Sequence, residues 1–197
     1  MSERKATVER RTGETDIKLT LDFSVPAPIE LRTGVPFFDH MLHAMSHHGG
    51  FSLVVEAEGD VHIDQHHLVE DVGLVLGDAV RIIRESGVAI TRYGHSVIPM
   101  DEALAETTID ACNRAYLVFR GEFPQEYCGE FHVVLVREFL QALANRGAMN
   151  LHTELRYGFN AHHMSEALFK SLGRALAQAY SPRAANQNQA MSTKGIL

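Results

Sequence analysis

The sequence carries the pentad His-His-x-x-Glu twice, as His66-His67-Leu68-Val69-Glu70 and as His162-His163-Met164-Ser165-Glu166, with the second copy 96 residues after the first. Imidazole nitrogens with a carboxylate suit zinc, manganese, iron or nickel, and no thiolate belongs to either set. On a helix, residues three and four apart share a face, so Glu70 can lie beside both His66 and His67. Adjacent residues diverge by roughly 100° around the axis. Each helix therefore offers its two imidazoles to two different metals. The remaining donors must come from the other copy, from elsewhere in the chain, or from another subunit. A single H-x-x-E is a weak signal, since a glutamate near a helix start also favours the positive end of the dipole. Two complete pentads in a chain with 12 His favour metal binding.

Both pentads open segments with helical apolar spacing. The first helix is expected over about 64 to 86, with Leu68, Val72, Val75, Leu76, Ala79 and Ile83 as its buried stripe, and the second over about 161 to 180. Upstream, Ile17, Leu19, Leu21 and Phe23 alternate with Lys18, Thr20 and Asp22, which predicts two strands within residues 5 to 24. Arg11-Thr12-Gly13-Glu14 is the connecting turn, where Glu14 reads as a solvated turn residue. Pro26 and Pro28 mark a loop. FFDHMLHAMSHHGG predicts a helix capped by Asp39 and ended by Gly49-Gly50, with His40, His43 and His47 on one face and His48 alongside. Residues 51 to 58 read as a strand that residues 61 to 63 extend or follow.

The second half repeats the order: strand-like runs at 96 to 99 and 103 to 120, a helix at 131 to 145, a strand at AMNLHTELRY, then the second pentad helix. Laying GGFSLVVE over GAMNLHTE sets His40 against Glu138. The expected architecture is α+β, an internally duplicated strand-helix-strand-helix unit with the helices packed between two sheets. Residues 1–92 form the first half-repeat, 93–180 the second, and 181–197 a polar C-terminal tail.

The 197 residues are 45% hydrophobic and 22% charged, an ordinary globular composition. A net charge of −7 and the lack of a basic stripe argue against nucleic-acid binding. Cys112 and Cys128 have no C-x-x-C spacing, so reduced structural thiols in a cytoplasmic protein are expected. The polar N-terminus has no apolar core like a signal peptide's, and no apolar run is long enough to span a membrane.

PFFDHML, HHLVED, PMDEAL, NAHHMSEALFKSLGRAL and STKGIL together resemble the imidazoleglycerol-phosphate dehydratase family in its monofunctional form, over essentially residues 5 to 197. The resemblance implies a manganese-dependent hydro-lyase of histidine biosynthesis that removes water from imidazole glycerol phosphate to give imidazole acetol phosphate. The hydrogen lost is not beside a carbonyl, so the substrate's own ring must serve as electron sink, and a metal on a ring nitrogen favours the imidazolate. Two Mn2+ ions per subunit are implied. Their ligands would be His40, His66, His67, Glu70, His162, His163 and Glu166, with Glu138 at a position where the family has His or Glu. Glu14 matches the family's proton-transfer glutamate, and His48 a residue of the substrate pocket. Arg92, Arg114, Ser192, Thr193 and Lys194 match the phosphate-binding set, with Lys170 near the site. DACNRAY departs from the family's usual Ser-Gly ahead of Arg-Pro-Tyr while keeping Arg114. His43, His47, His62, His95, His132 and His152 read as surface or packing residues. The family assembles as a shell of twenty-four subunits with sites between them. Two readings compete. A dinuclear phosphate-ester hydrolase would release inorganic phosphate, and a metal buffer would have no use for Arg92, Arg114 or the tail.

Overall fold

The strands form by alternation. Along β2 (Thr15–Asp22), Ile17, Leu19 and Leu21 are buried while Asp16 and Lys18 are exposed, the period of a sheet with one wet face. A computed structural model describes residues 4–183. β1 (Lys5–Arg11) pairs antiparallel with β2, and β2 with β4 (Ser52–Gly59). β3 (Ile29–Arg32) adds to β4 in parallel, joined to it through α1 (Pro36–Gly49). α2 (His66–Glu85) follows. The second half uses the same order: β5 (Tyr93–Met100), β6 (Ala103–Asp110), β7 (Tyr116–Arg120), α3 (Val134–Gly147), β10 (Asn150–Tyr157) and α4 (Ala161–Ala179), with β7 parallel to β10. Its one addition is a short hairpin, β8 (Tyr127–Cys128) with β9 (Phe131–His132), ahead of α3. The two sheets run β1-β2-β4-β3 and β5-β6-β10-β7, so the chain is one unit built twice.

The helices lie between the sheets. α2 covers β1 and β2, α4 covers β5 and β6, and across the middle α1 packs on α4 and α2 on α3. The expected stripe of α2, Leu68 to Ile83, is buried throughout. Small residues set how near the helices come. A Cβ on Gly173 of α4 would collide with the backbone of Met45 in α1, and one on Gly49 would lie 2.7 Å from the Gly173 carbonyl oxygen. The other pair repeats this: a Cβ on Gly77 of α2 would lie 2.8 Å from the Gly147 nitrogen of α3. Both pentad helices carry a matching hydrogen bond at their start, as the Asp64 carboxylate accepts from the His66 N–H at 3.0 Å and the side-chain oxygen of Asn160, the cap of α4, from the His162 N–H at 2.9 Å.

Three local expectations are corrected. α1 starts at Pro36, where the missing N–H costs nothing, so Asp39 is inside its first turn; its carboxylate accepts from the Thr33 N–H and hydroxyl at 3.1 and 2.7 Å instead of capping the helix. Residues 61–63 form a turn, closed by the Ile63 N–H to the Asp60 carbonyl at 2.7 Å, and do not continue β4. The segment after Pro28 holds β3, four residues, too short to show a readable alternation. No described helix is long and apolar enough to cross a membrane.

Gly173→Ala should lower unfolding stability by about 1–3 kcal/mol or more, because the added methyl meets rigid backbone. Gly13→Ala, with open space around its Cβ, serves as control. Equal denaturation midpoints for the two variants would refute the role given to the crossing.

Candidate metal centre

The N-terminal halves of α1 and α4 lie side by side. His40 and His162 both turn Nε2 toward Glu166, at 3.4 and 3.3 Å from the same carboxylate oxygen, and the two rings are 5.5 Å apart. Among the described residues, these three form a group whose donor atoms all lie within 4.8 Å of one another, close enough to converge on one divalent ion. Lys170, one turn on, holds the other Glu166 oxygen at 2.7 Å. Burial pushes the Glu166 carboxyl up, but Lys170 and His40 outweigh it and hold the group ionised below the ordinary range. A cavity of about 450 Å³ opens beside the triad, bounded by Pro36, Phe37, Gln65 and Phe131. The buried side-chain oxygen of Gln65 has no hydrogen-bond partner among the described residues. A donor set of two imidazoles and an ionised carboxylate beside an orphaned oxygen fits a divalent ion with a polar ligand.

The equivalent place on α2 is more open. His66 Nε2 lies 3.7 Å from Glu70. Glu138 is half-buried on α3, the helix packed on α2, and it forms no comparable group of three with them. The adjacent imidazoles point elsewhere, as their angular offset requires. The His66 and His67 rings stand at 89°, and the His162 and His163 rings at 84°. His67 turns Nδ1 to Asp60 at 3.0 Å, with Glu14 at 3.8 Å. His163 turns Nδ1 to Glu102 at 2.7 Å. The hydrogen bond to Asp60 raises the His67 pKa, and that to Glu102 raises the His163 pKa. The His163 contact, with backbone N–H groups of Phe159 and Asn160, draws the Glu102 carboxyl down to about 2. Asp60 and Glu102 were not singled out from the sequence. Glu102 stands inside PMDEAL, where its place in the motif could have drawn notice; Asp60 gave no signal.

The remaining candidates lie along and beyond the crossing. His48 is exposed at the end of α1, and partial burial, with the charges of Lys170, His47 and Arg174, lowers its pKa. Arg92 sits at the opposite end of α4, where its N–H donates to the Ala179 carbonyl at 2.9 Å. Its guanidinium donates to both carboxylate oxygens of Asp110, from Nε at 2.7 Å and Nη2 at 3.1 Å, and packs over Tyr93. Arg114 is exposed in the connection between β6 and β7. Ser192, Thr193 and Lys194 lie outside the described residues. The structure thus joins His40, His162, Glu166 and Lys170, and sets Arg92 far from them. His95 is engaged with Glu106 at 2.9 Å, and His132 stacks edge-on to Tyr127, in keeping with surface roles.

The sequence matches the family model described as "Imidazoleglycerol-phosphate dehydratase" over residues 33–176. It is 49% identical over 196 residues to the imidazoleglycerol-phosphate dehydratase of Streptococcus mutans, covering 98% of this chain and 100% of that one. With the Halorhodospira halophila enzyme of the same name it shares 46% over 197 residues, covering 100% of both chains. Among solved structures it is similar to the Staphylococcus aureus enzyme, with a TM-score of 0.83 and 34% identity over 91% of this chain and 99% of that one. The Pyrococcus furiosus enzyme gives the same TM-score and identity over 96% and 100%. Full-length likeness in sequence and fold agrees with paired histidine–carboxylate helices meeting across a duplicated unit: the chain belongs to the imidazoleglycerol-phosphate dehydratase family.

Proposed function

We propose that this chain performs its reaction with two Mn2+ ions per subunit, at sites completed between subunits of a larger assembly. The family reaction is its activity: removal of water from imidazoleglycerol phosphate, a carbon–oxygen lyase step of histidine biosynthesis. The observation that carries the metal reading is the convergence of His40, His162 and Glu166 from two helices of different halves. His66, Glu70 and Glu138 are proposed as the matching set of the other half. His67 and His163 are proposed to point outward to complete sites with donors of neighbouring subunits. Bound there, the ion would lower the pKa of a substrate ring nitrogen and so help the ring accept electrons.

The chain's own residues do the rest. Lys170 fixes the Glu166 carboxylate by ion pairing. Glu14, exposed at the turn between β1 and β2, is proposed to take the carbon-bound proton, and His48, exposed at the end of α1, to face the substrate. Arg92, oriented by Asp110, grips the phosphate with Arg114, and Ser192, Thr193 and Lys194 are proposed to complete that grip.

Distance argues for shared sites. His162 and Ala179 are separated by about 26 Å along α4, at ~1.5 Å per residue. A ring and a phosphate joined by three carbons reach less than about 10 Å at ordinary bond lengths. The triad and Arg92 of one chain therefore cannot hold the two ends of one substrate molecule. The phosphate grip of one subunit serves the metal site of another, in keeping with a closed shell of twenty-four. Within this reading, residues 1–92 and 93–180 are the half-repeats and 181–197 a tail reaching a site. Buried, unpaired Cys112 and Cys128 fit a cytoplasmic protein.

Chelation should abolish dehydration of imidazoleglycerol phosphate, and added Mn2+ should restore it; metal-free protein running at the normal rate would overturn the metal reading. Glu14→Gln should cut turnover by about 10²–10⁴-fold with metal content unchanged, and loss of metal would instead make Glu14 a ligand. His162→Ala and Arg92→Ala assemblies should each be inactive, yet regain part of the wild-type rate when dissociated and reassembled together. Mixed assemblies that stay inactive would place both residues in one site.

A further inference from the structure

We infer that Asp60 and Glu102 are positioning residues that fix His67 and His163 as metal ligands, and that duplication has divided orientation and proton transfer unequally between the halves. This rests on the metal reading above. Each carboxylate accepts from Nδ1, at 3.0 Å for Asp60 and 2.7 Å for Glu102, which settles the proton there and leaves the lone pair on Nε2; exposed Asp101, 3.9 Å from His163 Nε2, is beyond hydrogen-bond reach.

The two orienting groups come from different places in the repeat. Glu102 lies in the connection between β5 and β6, and its counterpart between β1 and β2 is Glu14. Glu14 approaches His67 only to 3.8 Å, beyond hydrogen-bond reach, because Asp60 from the loop before α2 has taken the position. Exposure follows the division: the Asp60 and Glu102 side chains are 17% and 20% exposed, and Glu14 is 57% exposed. Glu102 is further tied down, its second oxygen accepting from the N–H groups of Phe159 and Asn160 at 3.3 and 2.9 Å. Glu14 is thus left free to meet substrate, while the equivalent carboxylate of the second half is fully engaged. Of two groups derived from one ancestral position, only Glu14 can move a proton.

The test is equilibrium dialysis of Mn2+ against wild type, Asp60→Ala, Glu102→Gln and Glu14→Gln, beside metal-free thermal melts. In Glu102→Gln the amide oxygen stays with the Phe159 and Asn160 N–H groups, so its NH2 faces Nδ1 and drives the imidazole proton onto Nε2. Asp60→Ala removes the acceptor from His67 Nδ1 outright. Asp60→Ala and Glu102→Gln should each weaken Mn2+ binding by about 10–100-fold with metal-free melting unchanged, and Glu14→Gln should bind as wild type. If Glu102→Gln fails to fold, Asp60→Ala decides. Wild-type uptake with unchanged affinity in Asp60→Ala would overturn this inference alone, as would a Glu14→Gln affinity loss equal to that of Asp60→Ala. A wild type that takes up no Mn2+ would remove the metal reading and this inference with it.

Discussion

Contact between helix backbones at Gly49–Gly173 and Gly77–Gly147 is the constraint on which the architecture depends. With no side chains at these points, α1 can sit close against α4, and α2 against α3. Larger residues there would move the helix axes apart and pull His40 away from Glu166. Glycine inside a helix costs roughly 0.5–1 kcal/mol of helix stability relative to alanine. The surrounding apolar contacts, from Phe38, Met41, Leu168 and Leu172 among others, are what the close crossing obtains in return.

The site therefore belongs to the interface of the halves and to neither half alone. His40 comes from the first and His162 and Glu166 from the second. Lys170 sits one turn below Glu166 on the same helix, so the carboxylate's partner is as rigid as its backbone. Asn160, His162, Glu166 and Lys170 follow one another along the N-terminal half of α4, and His40 reaches them from α1, so the group sits on firm elements. At the starts of α2 and α4, His67 and His163 turn instead to Asp60 and Glu102.

Period-based features were legible in the sequence. The alternation in β2, the stripe of α2 and the spacing of the pentads all express local geometry that a linear pattern preserves. Features set by distant partners were harder to read. Asp39 had the composition of a cap, but Thr33 claimed its carboxylate and Pro36 set the helix start. Residues 61–63 had strand-like composition, yet a turn was needed to return the chain to α2, leaving Ile63 exposed. Asp60 and Glu102 gain meaning only when folding brings them to histidines 7 and 61 residues away. Glu138 was named from the family resemblance with the internal overlay in support, and it stands on the helix packed against α2 without closing a group of three.

The repeated sheet order also constrains how such a chain could arise. A solitary ancestral half would have left the inner faces of both its helices against water. Two identical copies related by a twofold axis would have covered those faces reciprocally. Fusion into one polypeptide then freed each copy from having to match the other, and the carboxylates near the two outer imidazoles are where the copies have parted.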